Sequence, residues 1–341
     1  MLTLLLKGLA ALFALAAAIP ARTGGLYSHP RPLRDYGAAL AWVDSVQRAE
    51  RAAVDSGAGT IVLTHGERTA RAVVLVHGLT STPSQFRELG EALYADGYNV
   101  LIPRLPHHGQ RDRNVGELRA LTAEELRALG DVSVDVARGL GDSVDVLGLS
   151  AGGTVAAWIA EHRPDARRVV VVAPAIGLHG VPSFLRAPLV NFVERVPNVT
   201  VHKAPDETPA PVYSGFATRG VAETLLLGEV TLHAAGRAPM AARSAVVVLN
   251  ANDETVDNGL GAELARRWAR RRGDAVDTYV FDKGLGLEHN LIDPWKPCAR
   301  PDVVYPVLLA LVEQRPLPPI DVPTIAREGC GAARVAASAG R

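Results

Sequence analysis

The chain has 341 residues, 48% of them apolar and only 21% charged. That is enough apolar material to bury a sizeable core, which excludes a disordered chain and a small disulfide-stapled module. Thirty-six Lys plus Arg balance thirty-six Asp plus Glu, so no basic field exists to draw a polyanion, and no nucleic-acid partner is expected.

Residues 1–21, MLTLLLKGLAALFALAAAIPA, carry one charge, Lys7, ahead of an unbroken apolar run at 9–19. A spanning helix needs about 20 such residues. A charged start, an apolar middle and small residues at 16–21 are the layout of a secretory signal peptide, which predicts an exported protein, periplasmic or secreted. The alternative is a leader that stays attached as an anchor, lengthened by residues 2–6. Membrane contact is expected only in that case.

After a polar lead-in and an amphipathic helix at 36–53, short β-branched runs alternate with helical patterns. Strands are predicted at 60–64, 72–76, 99–102, 144–147, 169–173, 245–249 and 276–281, and helices at 84–95, 123–140, 151–162, 259–271 and 303–313. Runs such as VVLV and VVVV lack polar alternation, as strands buried on both faces do. The pattern predicts an α/β fold, a mostly parallel central sheet flanked by helices, built from residues 22–173 and 244–330. Between them, residues 174–243 break the rhythm with many prolines, apolar Phe184, Leu185, Leu189, Val190, Phe192 and Val193, and a helical stretch near 221–235. A structureless connection that long is improbable, so an inserted subdomain is expected there, placed to cap the sheet's edge.

Two cysteines, Cys298 and Cys330, flank the last helix. In an oxidising compartment a bridge between them would close a 32-residue loop and contribute about 3 to 4 kcal/mol; two unrelated thiols is the alternative. The small, polar residues 331–341 are expected to be a disordered tail.

Residues 148–152 read G-L-S-A-G. The run V-D-V-L before Gly148 reads as a strand and the residues after Ser150 as a helix, the setting in which this motif makes a sharp nucleophile turn. Gly148 and Gly152 leave room for that turn, Ser150 is forced into strain with its hydroxyl exposed, and the helix start offers N–H groups to a developing oxyanion. A serine needs a base, and the base an orienting acid. His289 alone among ten histidines follows the last strand and precedes the final helix. Asp253 stands just past the strand A-V-V-V-L-N. Both lie at carboxyl ends of strands, where open α/β sheets place their chemistry. Asp257 is the rival acid, one turn further on and read as inside a helix. His65, His162 and His202 read as surface residues. No His, Cys or Asp spacing resembles a metal site, so neither metal nor other cofactor is expected.

The order Ser150, Asp253, His289, with gaps of 103 and 36 residues, the loop His77-Gly78-Leu79, the turn L-P-H-H-G, the elbow G-L-S-A-G-G and D-E-T-V after the acid together resemble the α/β-hydrolase superfamily. Within it the chain is similar to capped bacterial carboxylesterases and monoacylglycerol lipase-like serine hydrolases, over about residues 70 to 314. The resemblance implies an α/β-hydrolase fold with a cap, an oxyanion hole from the amides of Leu79 and Ala151, a loop-ordering role for His77 beside Gly78, and a structural turn at His108 and Gly109. It further implies a serine hydrolase cleaving small carboxylic esters, with a hydrophobic acyl group favoured by the apolar insertion. An acyltransferase or thioesterase using the same three residues is the alternative, and a non-catalytic binding protein a more distant one. Two positions depart from the family pattern: Glu288 precedes His289 where a small residue is usual, and Asp257 follows Val256 where proline is frequent. Both add negative charge near the mouth and argue against anionic substrates.

Overall fold

The computed structural model describes residues 18–112, 114–202, 212–296 and 299–322. Residues 1–17, which hold most of the expected signal peptide, both Cys298 and Cys330, and the expected tail at 331–341 lie outside the described residues.

Among the described residues seven strands form one sheet, which runs from edge to edge as β1 (Ile61–Leu63), β3 (Asn99–Ile102), β2 (Thr69–Val76), β4 (Gly141–Leu149), β5 (Ala166–Val172), β8 (Ser244–Asn250) and β9 (Val276–Phe281). Only β1 runs antiparallel, against β3; every other neighbouring pair is parallel. Because side chains alternate across a strand, the unbroken apolar runs feed two cores at once. Val74, Val76, Val146, Val169, Val171 and Val247 pack on one face, and Val73, Leu75, Leu147, Val170, Val172 and Val246 on the other. Helices α1 (Tyr36–Ala53), α3 (Ala123–Leu140) and α4 (Ala151–His162) cover the first face. Helices α2 (Arg87–Ala95) and α8 (Pro301–Glu313) cover the second. This is the mostly parallel, helix-flanked sheet that the sequence predicts.

The local chemistry explains the element ends. Helix α3 starts in a reciprocal cap between Thr122 and Glu125. The helix predicted at 84–95 divides at Arg87: Pro83 opens a tight turn in which the Gln85 amide closes on the Thr82 carbonyl at 3.0 Å, and only the remainder is α-helical.

The insertion differs from expectation in its second half. Residues 186–193 form α5 (Arg186–Val193), and β6 (Thr200–His202) pairs antiparallel with β7 (Gly215–Ala217). The next helix, α6 (Thr218–Ala235), begins three residues before the predicted stretch. Its Leu227, Leu232 and Ala235 are buried with Trp158 of α4 in the main core, as is Trp268 of α7 (Asn258–Arg272). So α6 shares one core with α4 and α7. An apolar helical stripe has the same spacing whichever core it packs on. Of the apolar residues singled out in the insertion, Val190 turns into the main core, whereas Phe184 and Leu185 stand exposed.

Candidate active site

The turn from β4 into α4 carries Ser150 with φ 60° and ψ −115°, a region that non-glycine residues rarely occupy. The surrounding backbone holds it there. Its amide donates to the Val172 carbonyl at the end of β5 (3.0 Å), and its carbonyl accepts from the amides of Ala175 (3.1 Å) and Thr154 (2.9 Å). Strain of about 1 to 3 kcal/mol persists only where neighbours over-determine it. The two elbow glycines are required by close approach. A Cβ on Gly152 would overlap the Val76 carbonyl oxygen and stand 2.7 Å from that of His77, and one on Gly148 would overlap the carbonyl oxygen of Gly152. Here β2 and the start of α4 touch backbone to backbone.

The loops after β8 and β9 complete the arrangement. His289 Nε2 lies 2.9 Å from Ser150 Oγ, and His289 Nδ1 lies 2.7 Å from Asp253 Oδ2. The other oxygen of Asp253 accepts from the amides of Thr255 (2.9 Å) and Val256 (3.0 Å). Burial acts to raise the Asp253 carboxyl, but the hydrogen bond and charge of His289 and the two amides outweigh it, holding it below the ordinary carboxylate range. The structure thus brings residues 139 and 36 positions apart into one hydrogen-bonded line. The rival Asp257 sits elsewhere: it is the N-cap of α7, its Oδ1 accepting from the amides of Gly259 and Leu260.

The third loop, after β2, runs past the serine: a Cβ on Gly78 would stand 3.6 Å from Ser150 Cβ. His77 is fully buried beneath it, with Nε2 accepting from the Leu105 amide (3.0 Å) and Nδ1 donating to the Gly78 carbonyl (2.9 Å). Burial, with the charge of His108, drives its pKa well below the ordinary histidine value. It is neutral, and its two ring nitrogens are both engaged by backbone. His108 packs edge-on against His77, with its Nε2 on the Leu79 carbonyl, and burial pushes it down to about 4. Gly109 follows at φ 73°. Ala151 is the first residue of α4, where an N–H has no acceptor within the helix. The Leu79 and Ala151 amides therefore belong to the two backbone segments that flank the serine.

Of the histidines read as surface residues, His65 and His202 are exposed. His162 is not: it is half-buried, stacked on Trp158 with ring centroids 4.7 Å apart and its Nδ1 on the Trp158 carbonyl. Three further side chains hold the loops, and residue type alone did not reveal them. Asn250, buried at the end of β8, donates to the carbonyls of Leu287 (2.9 Å) and Glu288 (3.1 Å), fixing the approach to His289. Gln85 and Asp293 are buried and bonded to each other at 2.5 Å. A polar residue in the last position of an apolar strand was the one available sign for Asn250.

A cavity of about 240 Å³ lies between the insertion and the body, lined by Ile176, Leu178, Val181, Val190, Leu225 and Leu226 among others. Ser150 is not among its lining residues. Its wall begins at Ile176, next to the Ala175 amide that holds the Ser150 carbonyl. The insertion also reaches the loop after β2, since the Tyr213 amide donates to the Thr80 carbonyl at 3.0 Å.

A model of the alpha/beta hydrolase family matches residues 73–335. A thermostable monoacylglycerol lipase of Bacillus sp. (strain H-257) is 34% identical over 115 residues, covering 32% of this chain and 42% of that protein. Phospholipase YtpA of Bacillus subtilis (strain 168) is 30% identical over 114 residues, covering 33% and 43% respectively. The chain therefore spans less than half the length of these curated relatives. Among solved structures, a metagenome-derived lipolytic enzyme of the LipS and LipT pair superposes with a TM-score of 0.59 at 18% identity, covering 77% of this chain and all of that one. That likeness is one of fold.

Proposed function

We infer that this chain, which belongs to the alpha/beta hydrolase family, is a serine hydrolase that cleaves carboxylic esters through an acyl-enzyme on Ser150. The observation that carries the reading is the line from Ser150 Oγ through His289 to Asp253, with spacings of 2.9 and 2.7 Å. A carboxylate accepts only, so His289 Nδ1 carries the proton and Nε2 presents a lone pair to the serine hydroxyl. Ser150 Oγ attacks the ester carbonyl carbon while its proton passes to Nε2. The Leu79 and Ala151 amides receive the charge that develops on the carbonyl oxygen. When the C–O bond to the alcohol breaks, His289 returns the proton to the leaving oxygen. Water then attacks the acyl carbon, gives its proton to Nε2, and Ser150 leaves with that proton restored.

The substrate class we propose is a small lipidic ester with a hydrophobic acyl group. Relatives named for monoacylglycerol and phospholipid cleavage over a shared third of this chain support it. In this reading residues 174–202 and 212–217 act as the cap, with the Tyr213 amide bonded to the loop that carries Leu79.

The test is hydrolysis of p-nitrophenyl butyrate by the Ser150→Ala protein. Loss of the nucleophile should reduce turnover by about 10⁴-fold or more. Wild-type turnover in that variant would refute the reading.

A further inference from the structure

We propose that Gln85 and Asp293 form a positioning pair that sets the Gly78–Leu79 peptide relative to Ser150 and ties the loop carrying Leu79 to the loop carrying His289. The proposal rests on the ester-hydrolase reading and adds to it two residues that do not touch substrate. Gln85 Oε1 accepts from the Gly78 amide at 2.8 Å, and Gln85 Nε2 donates to Asp293 Oδ1 at 2.5 Å. The two residues are 208 positions apart and each is 1% exposed.

The chemistry of the partners leaves one arrangement. A carboxamide can turn over and exchange its oxygen and nitrogen at almost no steric cost. The Gly78 N–H only donates and the Asp293 carboxylate only accepts, so the oxygen must face Gly78 and the nitrogen Asp293. The Gly78 carbonyl is held in turn by His77 Nδ1 (2.9 Å) and the Ser81 amide (3.1 Å). With both polar groups of Gly78 fixed, the planar trans peptide that follows can present the Leu79 N–H in one direction only. That N–H is the one assigned to the oxyanion. Burial pushes the Asp293 carboxyl up to about 6, against the Gln85 hydrogen bond and the charges of Lys296 and His289, with Glu288 adding to the rise. Tyr305 of α8 faces it as well. It is the anion above neutral pH, as the acceptor role demands.

Reversing the polarity of the pair tests this. In Gln85→Glu two carboxylates meet where one hydrogen bond stood, so they must share a proton. The expected result with p-nitrophenyl butyrate at pH 8 is a fall in kcat of about tenfold or more, with KM changed less than about twofold because the pair touches no substrate. The ratio of variant to wild-type kcat should rise again on acidification. The Gln85→Glu/Asp293→Asn double variant keeps an oxygen facing the Gly78 amide and restores the bond between the pair with donor and acceptor exchanged. It should return kcat to within about threefold of wild type and flatten the pH dependence of that ratio. A folded Gln85→Glu protein with wild-type kcat at pH 8, or a double variant no better than the single one, would overturn the proposal. Should Gln85→Glu not fold, Asp293→Ala against Asp293→Asn decides: a kcat loss confined to Ala, at constant KM, supports the pair, and equal kcat in both overturns it. Ser150→Ala separates the two levels. If that variant is inactive while Gln85→Glu is unimpaired, only the positioning pair fails.

Discussion

Replacing Asp253 by Asn exchanges one oxygen for an NH2 group, and the structure dictates which. Oδ1 accepts from two backbone amides, Thr255 and Val256, at 2.9 and 3.0 Å. An NH2 group there would face two donors, so the asparagine oxygen keeps that position and the NH2 group points at His289 Nδ1, 2.7 Å from the present Oδ2. Nδ1 must then accept, which moves the ring proton to Nε2. A protonated Nε2 donates to Ser150 Oγ and cannot take its proton. The expected loss in kcat is about 10³ to 10⁴, equal to about 4 to 5.5 kcal/mol of barrier. The assay is kcat for p-nitrophenyl butyrate at pH 7.5 with thermal unfolding measured in parallel, since no side-chain volume changes and the fold should survive. A folded Asp253→Asn protein that loses less than about tenfold would refute the tautomer argument.

Further outcomes follow from the same geometry. Asp257→Ala removes a helix N-cap and should lower stability by about 1 kcal/mol while leaving kcat near wild type; a collapse of kcat in the folded variant would return Asp257 to the role of acid. Gly152→Ala drives a methyl into the Val76 carbonyl, and separating β2 from α4 should destabilise by about 1 to 3 kcal/mol or more and reduce kcat about 10²-fold, so an unchanged melting temperature and kcat would contradict the packing. For Asp293, burial raises the folded pKa to about 6 from an ordinary 3.8. The folded state therefore holds a proton between those pH values that the unfolded state has released. Support from the protonated group is complete below pH 4 and lost as pH rises through 6. Asp293→Asn lacks this titration, so its stability relative to wild type should improve by up to about 3 kcal/mol from pH 4 to 7. A difference independent of pH, read from denaturation midpoints, would count against it.

The sheet was legible because its strands are buried on both faces, which writes them as uninterrupted Val and Leu runs. The elbow was legible because two glycines and a serine between a strand and a helix serve few purposes besides a tight turn. Asp253 and His289 could be placed because they follow strands and so fall on the same edge. What was not legible depended on partners far away in the chain. Helix α6 carries an apolar stripe whose spacing does not say whether it meets the insertion or Trp158. Gln85 reads as one more polar residue in a helical start, and Asp293 as one more loop carboxylate, until folding buries them together. His162 is the exception: its partner Trp158 lies one turn back on the same helix, so the i,i+4 spacing was a local sign of the stack.

The most direct measurement is covalent labelling with a fluorophosphonate probe followed by mass analysis of the peptides. The account predicts one adduct per chain, on Ser150, absent in Ser150→Ala and strongly slowed in His289→Ala. An adduct on any other residue, or undiminished labelling of the Ser150→Ala protein, would contradict it.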